Sequence, residues 1–350
     1  MEDHLQSIDP RLMWEFGPAV SGDGHRLVIT PESNRQLRPL VDSVLNRAPK
    51  LAAWEFYGHR LPESMELAEQ AVKGRTGGSL DGVTVRASIG KGNRVDLVFQ
   101  TPRYAAAGRD AAHHDVFAAT ESLLGEKVLD DWVGVIEVEP AKRGLLAKFA
   151  GRRTSPGIGI DRFAETVTAL VESIREQLPD RPLFQIDMKA DGHKWANFKL
   201  EPKEDEDYAG RGDLLVMISG YSEMISAAHG SGSFVSSRFS RFGEQFCYLK
   251  IDGREGSGKF GGRDEIEDAI DSLLIPAKAG CVVGGGTGLV YSYIDLALAD
   301  VSRAIPLIQQ VLRGGEVSSR SWVLFFEADL QDEWVGIWDD TPEPPGINAD

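Results

Sequence analysis

The most suggestive polar stretch of the sequence is Ser236-Ser-Arg-Phe-Ser-Arg241. A guanidinium presents a planar fork of donors that fits a carboxylate or a phosphate. Arg238 and Arg241 could therefore hold such a group, with Ser240 adding a donor. In a turn or helix the two arginines converge; in a strand, positions three apart face opposite sides. The competing reading is an internal ion pair with Glu244 or Asp252. A second anion-binding candidate is Gly284-Gly-Gly-Thr-Gly288. Consecutive glycines can aim several amides at one anion. Gly285, Gly286 and Thr287, with the threonine hydroxyl, would then hold a carboxylate or phosphate. The same run is what a wide hairpin turn uses to reach positive φ, and the turn is the favoured reading.

Weaker signals each lack a part. Gly253-Arg-Glu-Gly-Ser-Gly-Lys259 has the spacing of a phosphate-binding loop up to its lysine. A Ser or Thr should follow to hold magnesium, but Phe260 does, and Gly261-Gly262 stands where a helix should begin. His113 and His114 are adjacent, so on a helix they point about 100° apart and chelate one ion poorly. No other Cys or His lies at zinc spacing, so neither metal nor cofactor is expected. Glu137 and Glu139 share one strand face, as acid–base pairs can; on a terminal strand they read as solvated. There is no Gly-x-Ser-x-Gly elbow, no His-Glu-x-x-His and no kinase signature set.

The elements that must position these residues predict an α+β protein, with mostly antiparallel sheets and helices on one face. The clearest architecture runs from Phe246 to Phe326. Phe246–Asp252, two segments within Cys281–Leu298 on either side of Gly284–Gly288, and Ser321–Phe326 read as strands. Between them lie two amphipathic runs, Ile266 to Leu274 and Val301 to Leu312, the second carrying Pro306. The order β-α-β-β-α-β is the ferredoxin-like pattern. Trp334 to Trp338 adds an edge strand, with both indoles expected on one face as a partner surface if exposed.

Upstream, residues 1–140 read as an α+β sandwich, with a hairpin of Val83–Ile89 and Arg94–Gln100. Residues 141–160 carry Lys142, Arg143, Lys148, Arg152 and Arg153 without an intervening acid, and read as a basic linker. The second domain is placed at 161–340. It opens with the best helix of the chain, in which Phe163, Val167, Leu170, Val171, Ile174 and Leu178 keep helical spacing. Leu183–Met188, Trp195–Leu200 and Leu214–Ser219 read as strands, and residues 341–350 as a loose acidic tail.

The 350 residues suffice for two cores. Net charge is −16, and from Glu327 to Asp350 there are eight acids and no Lys or Arg. Such a balance opposes sequence-independent nucleic-acid binding, which needs a basic face. No run nears the roughly 18 apolar residues of a membrane span, and the N-terminal stretch shows no signal peptide. Cys247 and Cys281 sit in apolar runs and read as buried thiols, close together if their strands are neighbours. The expected location is the cytoplasm of a bacterial cell.

The run from Arg26 to Tyr57 has Leu27-Val-Ile-Thr-Pro-Glu-Ser-Asn34, Leu37, Pro39-Leu-Val41, Ala48-Pro49 and Trp54-Glu-Phe56. It resembles an uncharacterised bacterial family, domain of unknown function 695, over about the first 140 residues. The C-terminal segments around Gly284, Tyr291 and Ser321 look similar to other hypothetical bacterial proteins. Neither resemblance implies an activity, so no catalytic residue carries over. The leading expectation is a non-enzymatic, cytoplasmic protein-binding or regulatory protein, with self-association into a homo-oligomer also open. The alternative is a small-molecule or anion-binding protein, an enzyme included, with Arg238, Arg241 and Gly284–Gly288 in one pocket. An immunity-type protein that masks a toxin would fit the acidity, but no motif supports it.

Overall fold

The structure, a computed structural model, describes residues 2–141, 157–187, 195–228 and 233–347. It forms two compact units, Met1–Gln177 and Leu178–Asp350, and belongs to the α+β class.

The first unit starts with α1 (Glu2–Gln6), β1 (Met13–Pro18), β2 (His25–Thr30), α2 (Arg38–Asn46) and β3 (Trp54–Tyr57). β1 and β2 are antiparallel, while β3 lies parallel to β2. Leu12, Leu27, Ile29 and Val41 form their core, with Trp54 and Phe56 against it. α3 (Met65–Thr76) starts at Ser64, whose side chain accepts from the Leu67 amide, and ends at Gly77 in the left-handed region. β4 (Thr84–Ile89) and β5 (Val95–Thr101) make the expected hairpin. α4 (Arg103–Ala107), α5 (Arg109–Leu124) and α6 (Glu126–Trp132) lead to β6 (Val133–Pro140), parallel to β5. β7 (Ile158–Gly159) completes a second sheet, ordered β6-β5-β4-β7. The unit thus holds two sheets with separate cores, not the single sandwich expected. A buried polar knot ties them: Arg38 donates to Glu126 Oε1 at 2.7 Å and to the Gly58 carbonyl at 2.6 Å, and Thr30 donates to Glu126 at 2.6 Å.

α7 (Phe163–Gln177) corrects the expected domain boundary. Its stripe of Phe163, Val167, Val171 and Ile174 is buried in the core of the second sheet, with the Phe163 ring 5.5 Å from that of Phe99. A helix seated on Phe99 belongs to the unit that carries Phe99, so the division falls after Gln177. Most of the basic stretch 141–160, including its five Lys and Arg residues, lies outside the described residues.

The second unit contains β8 (Ala196–Lys199), β9 (Leu214–Ser219), α8 (Glu223–Ala228), β10 (Gln245–Asp252), α9 (Arg263–Leu274), β11 (Gly280–Gly288), β12 (Tyr291–Leu298), α10 (Val301–Gly314), β13 (Ser321–Phe325) and β14 (Trp334–Gly336). Among the described residues these strands make one sheet in the order β14-β13-β10-β12-β11-β9-β8. Every neighbouring pair is antiparallel. β10 and β12, the first and third strands of the β-α-β-β-α-β stretch, are hydrogen-bonded neighbours from Gln245↔Leu298 to Asp252↔Tyr291.

α9 and α10 cover one face, where Ile266, Ile270, Leu274, Ile308 and Leu312 meet Leu249, Ile294, Leu296 and Val323. The other face is aromatic, with Phe246, Tyr291, Tyr293 and Trp322 packed under Phe234 and Phe239. Burial on both faces explains why these strands read as continuous apolar runs instead of alternating ones. α10 runs through Pro306, and Asp300 caps it by accepting from the Arg303 amide.

Four further expectations change here. Cys247 and Cys281 are both buried free thiols, but β12 separates their strands and they sit in cores on opposite faces. Trp334 and Trp338 do not share a face: the first packs on the aromatic core and the second on the helix-covered one. Leu183–Gln185 is a 3-10 turn after Pro182, not a strand; Met188, the end of that expected strand, lies outside the described residues. The start of the acidic tail is docked, since Trp322 Nε1 donates to the Pro342 carbonyl at 2.6 Å and Ile347 packs on the aromatic core. Residues 348–350 lie outside the described ones.

Candidate functional site

The structure places the two predicted arginines apart in role. Arg238 ends a 3-10 turn, Ser236–Arg238, is buried, and donates to the Ser233 carbonyl at 2.7 Å. Arg241 is exposed and donates through Nε to the Pro179 carbonyl at 2.8 Å. Ser240 Oγ donates to Glu244, and the other oxygen of that carboxylate accepts the Leu183 amide at 2.6 Å. Asp252, the other proposed partner, is held by Arg254 and Arg320, each at 2.9 Å. The Ser236–Arg241 stretch thus anchors the chain around residues 179–183.

The glycine run is a strand, not a turn. Gly284, Gly285, Gly286 and Thr287 pair with β12 on one side and β9 on the other, so their amides point along the sheet into two ladders. The requirement for glycine is space. A Cβ on Gly284 would lie 2.6 Å from the Ile218 carbonyl oxygen, and one on Gly285 would lie 2.7 Å from that of Tyr293. Arg238 and Arg241 do not line the cavity that Gly284 and Gly285 border.

That cavity is a groove of about 980 Å³ within the second unit. Its floor is the row Gly285–Ile218–Asn197 across β11, β9 and β8, continued by Val282 beside a register shift in β11. α9 lines it with Arg263, Glu267, Asp268 and Asp271, and Ile275 follows at the helix end. The Phe184–Asp187 segment and Trp195 line it as well. The positions follow from local chemistry. α9 buries Ile266, Ile270 and Leu274, which turns residues 267, 268 and 271 away from the core. Asp271 Oδ1 accepts the Val282 amide at 2.8 Å and so fixes the helix to the floor. Arg263 pairs with Glu267 at 2.8 Å, one helical turn away. Trp195, Ile218 and Ile275 are 36–40% exposed, unusual for large apolar side chains grouped in one concavity.

Among the described residues the groove lining holds four carboxylates, Asp187, Glu267, Asp268 and Asp271, and one guanidinium, Arg263. Its thiol, Cys281, is held protonated by burial, which pushes its pKa well up. Among the described residues no Ser, Thr or His lines it.

Behind the floor lies a set of buried charges that the sequence reading missed. Arg211 and Asp295 are both fully buried and paired at 2.6 Å. The guanidinium stands 4.8 Å from the Tyr293 ring centroid and 5.1 Å from that of Tyr248. Lys250 is also fully buried, donates to the Tyr208 carbonyl and sits 4.1 Å from the Tyr291 centroid. Burial pushes its pKa down to about 8, with Asp207 and Asp213 pulling against it.

The first unit has a smaller, charged cavity of about 520 Å³ around Arg60. There Arg60 meets Glu15, Glu32 and Glu121 at 3.2, 2.7 and 3.1 Å, so each of its nitrogens has a carboxylate partner. The His113-His114 pair lies on α5, and its neighbour Asp115 is buried against Arg103. Among the described residues no group of three His, Cys, Asp or Glu side chains is placed to hold a metal ion. No helix there is long and apolar enough to cross a membrane.

No protein-family model, curated protein or solved structure matches this chain.

Proposed function

We propose that the protein is a non-enzymatic binding or regulatory protein that takes a protein partner in the groove over β11, β9 and β8. One observation supports this most: Trp195, Ile218 and Ile275 stay exposed together in one concavity, while the rest of that sheet face is covered by helices. Exposed apolar groups ringed by polar ones are the usual make-up of a contact surface. The chemistry of the lining agrees, since burial keeps its thiol protonated. Two free cysteines suit a reducing compartment, and we place the protein in the cytoplasm.

Affinity capture from native lysate tests the reading when run with wild type and with Ile218→Glu. A partner retained by the wild type and lost by the variant supports it. Retention that ignores the substitution contradicts it.

A further inference from the structure

We infer that two copies of this chain join edge to edge through β1, which pairs antiparallel with β1 of the second copy about Glu15. The surface lies in the first unit and does not depend on the groove of the second.

The backbone gives the first argument. β1 has one strand neighbour, β2. The His25 amide donates to the Ala53 carbonyl at 2.8 Å, on the β3 side of β2, so His25 does not exchange bonds with Pro18, its partner in β1. Hydrogen-bonded and non-bonded pairs alternate along an antiparallel ladder. Gly17, Glu15 and Met13 therefore bond to β2, while Trp14 and Phe16 turn their N–H and C=O groups to the outer edge. Among the described residues these outward groups have no hydrogen-bond partner. Glu15, Phe16, Gly17 and Pro18, consecutive in the chain, all border the cavity around Arg60, so open space runs along that edge. A row of free donors and acceptors is a template for another strand.

Register gives the second argument, and it names a second copy as the occupant. With Glu15 set opposite Glu15 of the second copy, Trp14 falls opposite the other Phe16, and Phe16 opposite the other Trp14. Each of these pairs exchanges two backbone bonds, so every outward donor and acceptor of both residues is used. A shifted register spoils this. Centred on Phe16, Trp14 would meet Pro18, which has no N–H. Centred on Trp14, Phe16 would meet Leu12, whose amide already donates to the Asp9 carbonyl at 3.1 Å.

Side chains give the third. Trp14 and Phe16 share one face, and Phe16 is 56% exposed. The pairing sets each Phe16 ring beside the Trp14 of the other copy, and aromatic cross-strand pairs are favourable. On the opposite face the two Glu15 carboxylates meet, but each is held by Arg60 at 3.2 Å. β1 carries neither the lysine nor the bulge by which edge strands are commonly protected.

The test uses the full chain. Sedimentation equilibrium is expected to show a monomer–dimer equilibrium. Phe16→Pro removes an outward N–H and leaves the β1–β2 bonds in place; it is expected to weaken the dimer at least tenfold. Phe16→Lys, with the same expected loss, covers the case in which the proline variant misfolds. Disulfide trapping with oxidised glutathione reads the register. The two copies of residue 15 form a non-bonded pair with Cα atoms about 4.5 Å apart, within disulfide reach. The two copies of residue 13 lie about 14 Å apart. Glu15→Cys is expected to give a covalent dimer, and Met13→Cys, at a position 43% exposed, is expected to give none. Arg60 keeps Glu32 and Glu121 when Glu15 is replaced, and the native Cys247 and Cys281 are buried. A chain that stays monomeric at every concentration, a dimer indifferent to both Phe16 variants, or equal trapping at positions 13 and 15 overturns the inference.

Discussion

The amide of Leu183 donates to Glu244 Oε1 at 2.6 Å, and through that bond a buried carboxylate holds the segment that lines the groove. Glu244→Ala leaves the amide without its acceptor and should cost about 1–3 kcal/mol. Glu244→Gln keeps an acceptor and should cost less. Burial raises the Glu244 pKa. A raised acid contributes its stability below the ordinary carboxylate range and loses it as pH rises through the folded-state value. Urea unfolding between pH 4 and 8 should therefore show the wild type losing stability relative to Glu244→Gln as pH increases.

Gly285 stands where a Cβ would press on the Tyr293 carbonyl at 2.7 Å and on Glu267 Oε1 at 2.8 Å. Gly285→Ala should destabilise the second unit by about 1–3 kcal/mol, the usual cost of overpacking. Denaturant midpoints measure it. A neutral result would mean that β11 and β12 can spread without penalty.

Among the described residues Asp295 is the single charge partner of Arg211 at hydrogen-bond distance, with both side chains fully buried. Removing one member of a buried pair strands the other, which costs about 3–5 kcal/mol. Asp295→Ala should show that loss. Asp295→Ala with Arg211→Met should recover much of it, because no charge is then left without a partner. A double-mutant cycle by urea unfolding gives the coupling.

Lys250 titrates near 8 because burial disfavours its ammonium. Its folded-state pKa lies below the unfolded value of 10.5. The native state therefore gives up this proton first, and stability rises with pH from about 8 toward the unfolded value. Lys250→Met should remove that rise. The comparison is cleanest between pH 8 and 9.5, below the range in which the buried tyrosines, with their raised pKa values, add an opposite slope.

Much of the second unit was legible in the sequence. Its strands are apolar runs bounded by glycine, and α9 and α10 carry plain helical periodicity, so the alternation of elements could be read directly. α7 was equally legible as a helix, but its spacing does not say which sheet receives it; only the contact of Phe163 with Phe99 does. The glycine run misled because glycine serves turns and crowded strands alike, and the crowding comes from Ile218 and Tyr293, distant in sequence. Arg238 and Arg241 looked like a ligand fork because their acceptors are backbone carbonyls, which leave no mark in a sequence. The groove itself had a partial signal. The acids of α9 were visible as part of an amphipathic run, but nothing in the sequence sets Trp195 and Ile218 beside them.

Site-specific photo-crosslinking tests the central claim most directly. A photoreactive phenylalanine analogue is placed at Ile275, inside the groove, or at Leu289, an exposed turn residue of the same unit. Irradiation of cells carrying each variant should give a discrete partner adduct from position 275 and none from position 289. Adducts of the same partner from 289 alone, or from both positions equally, would contradict the groove as the contact surface.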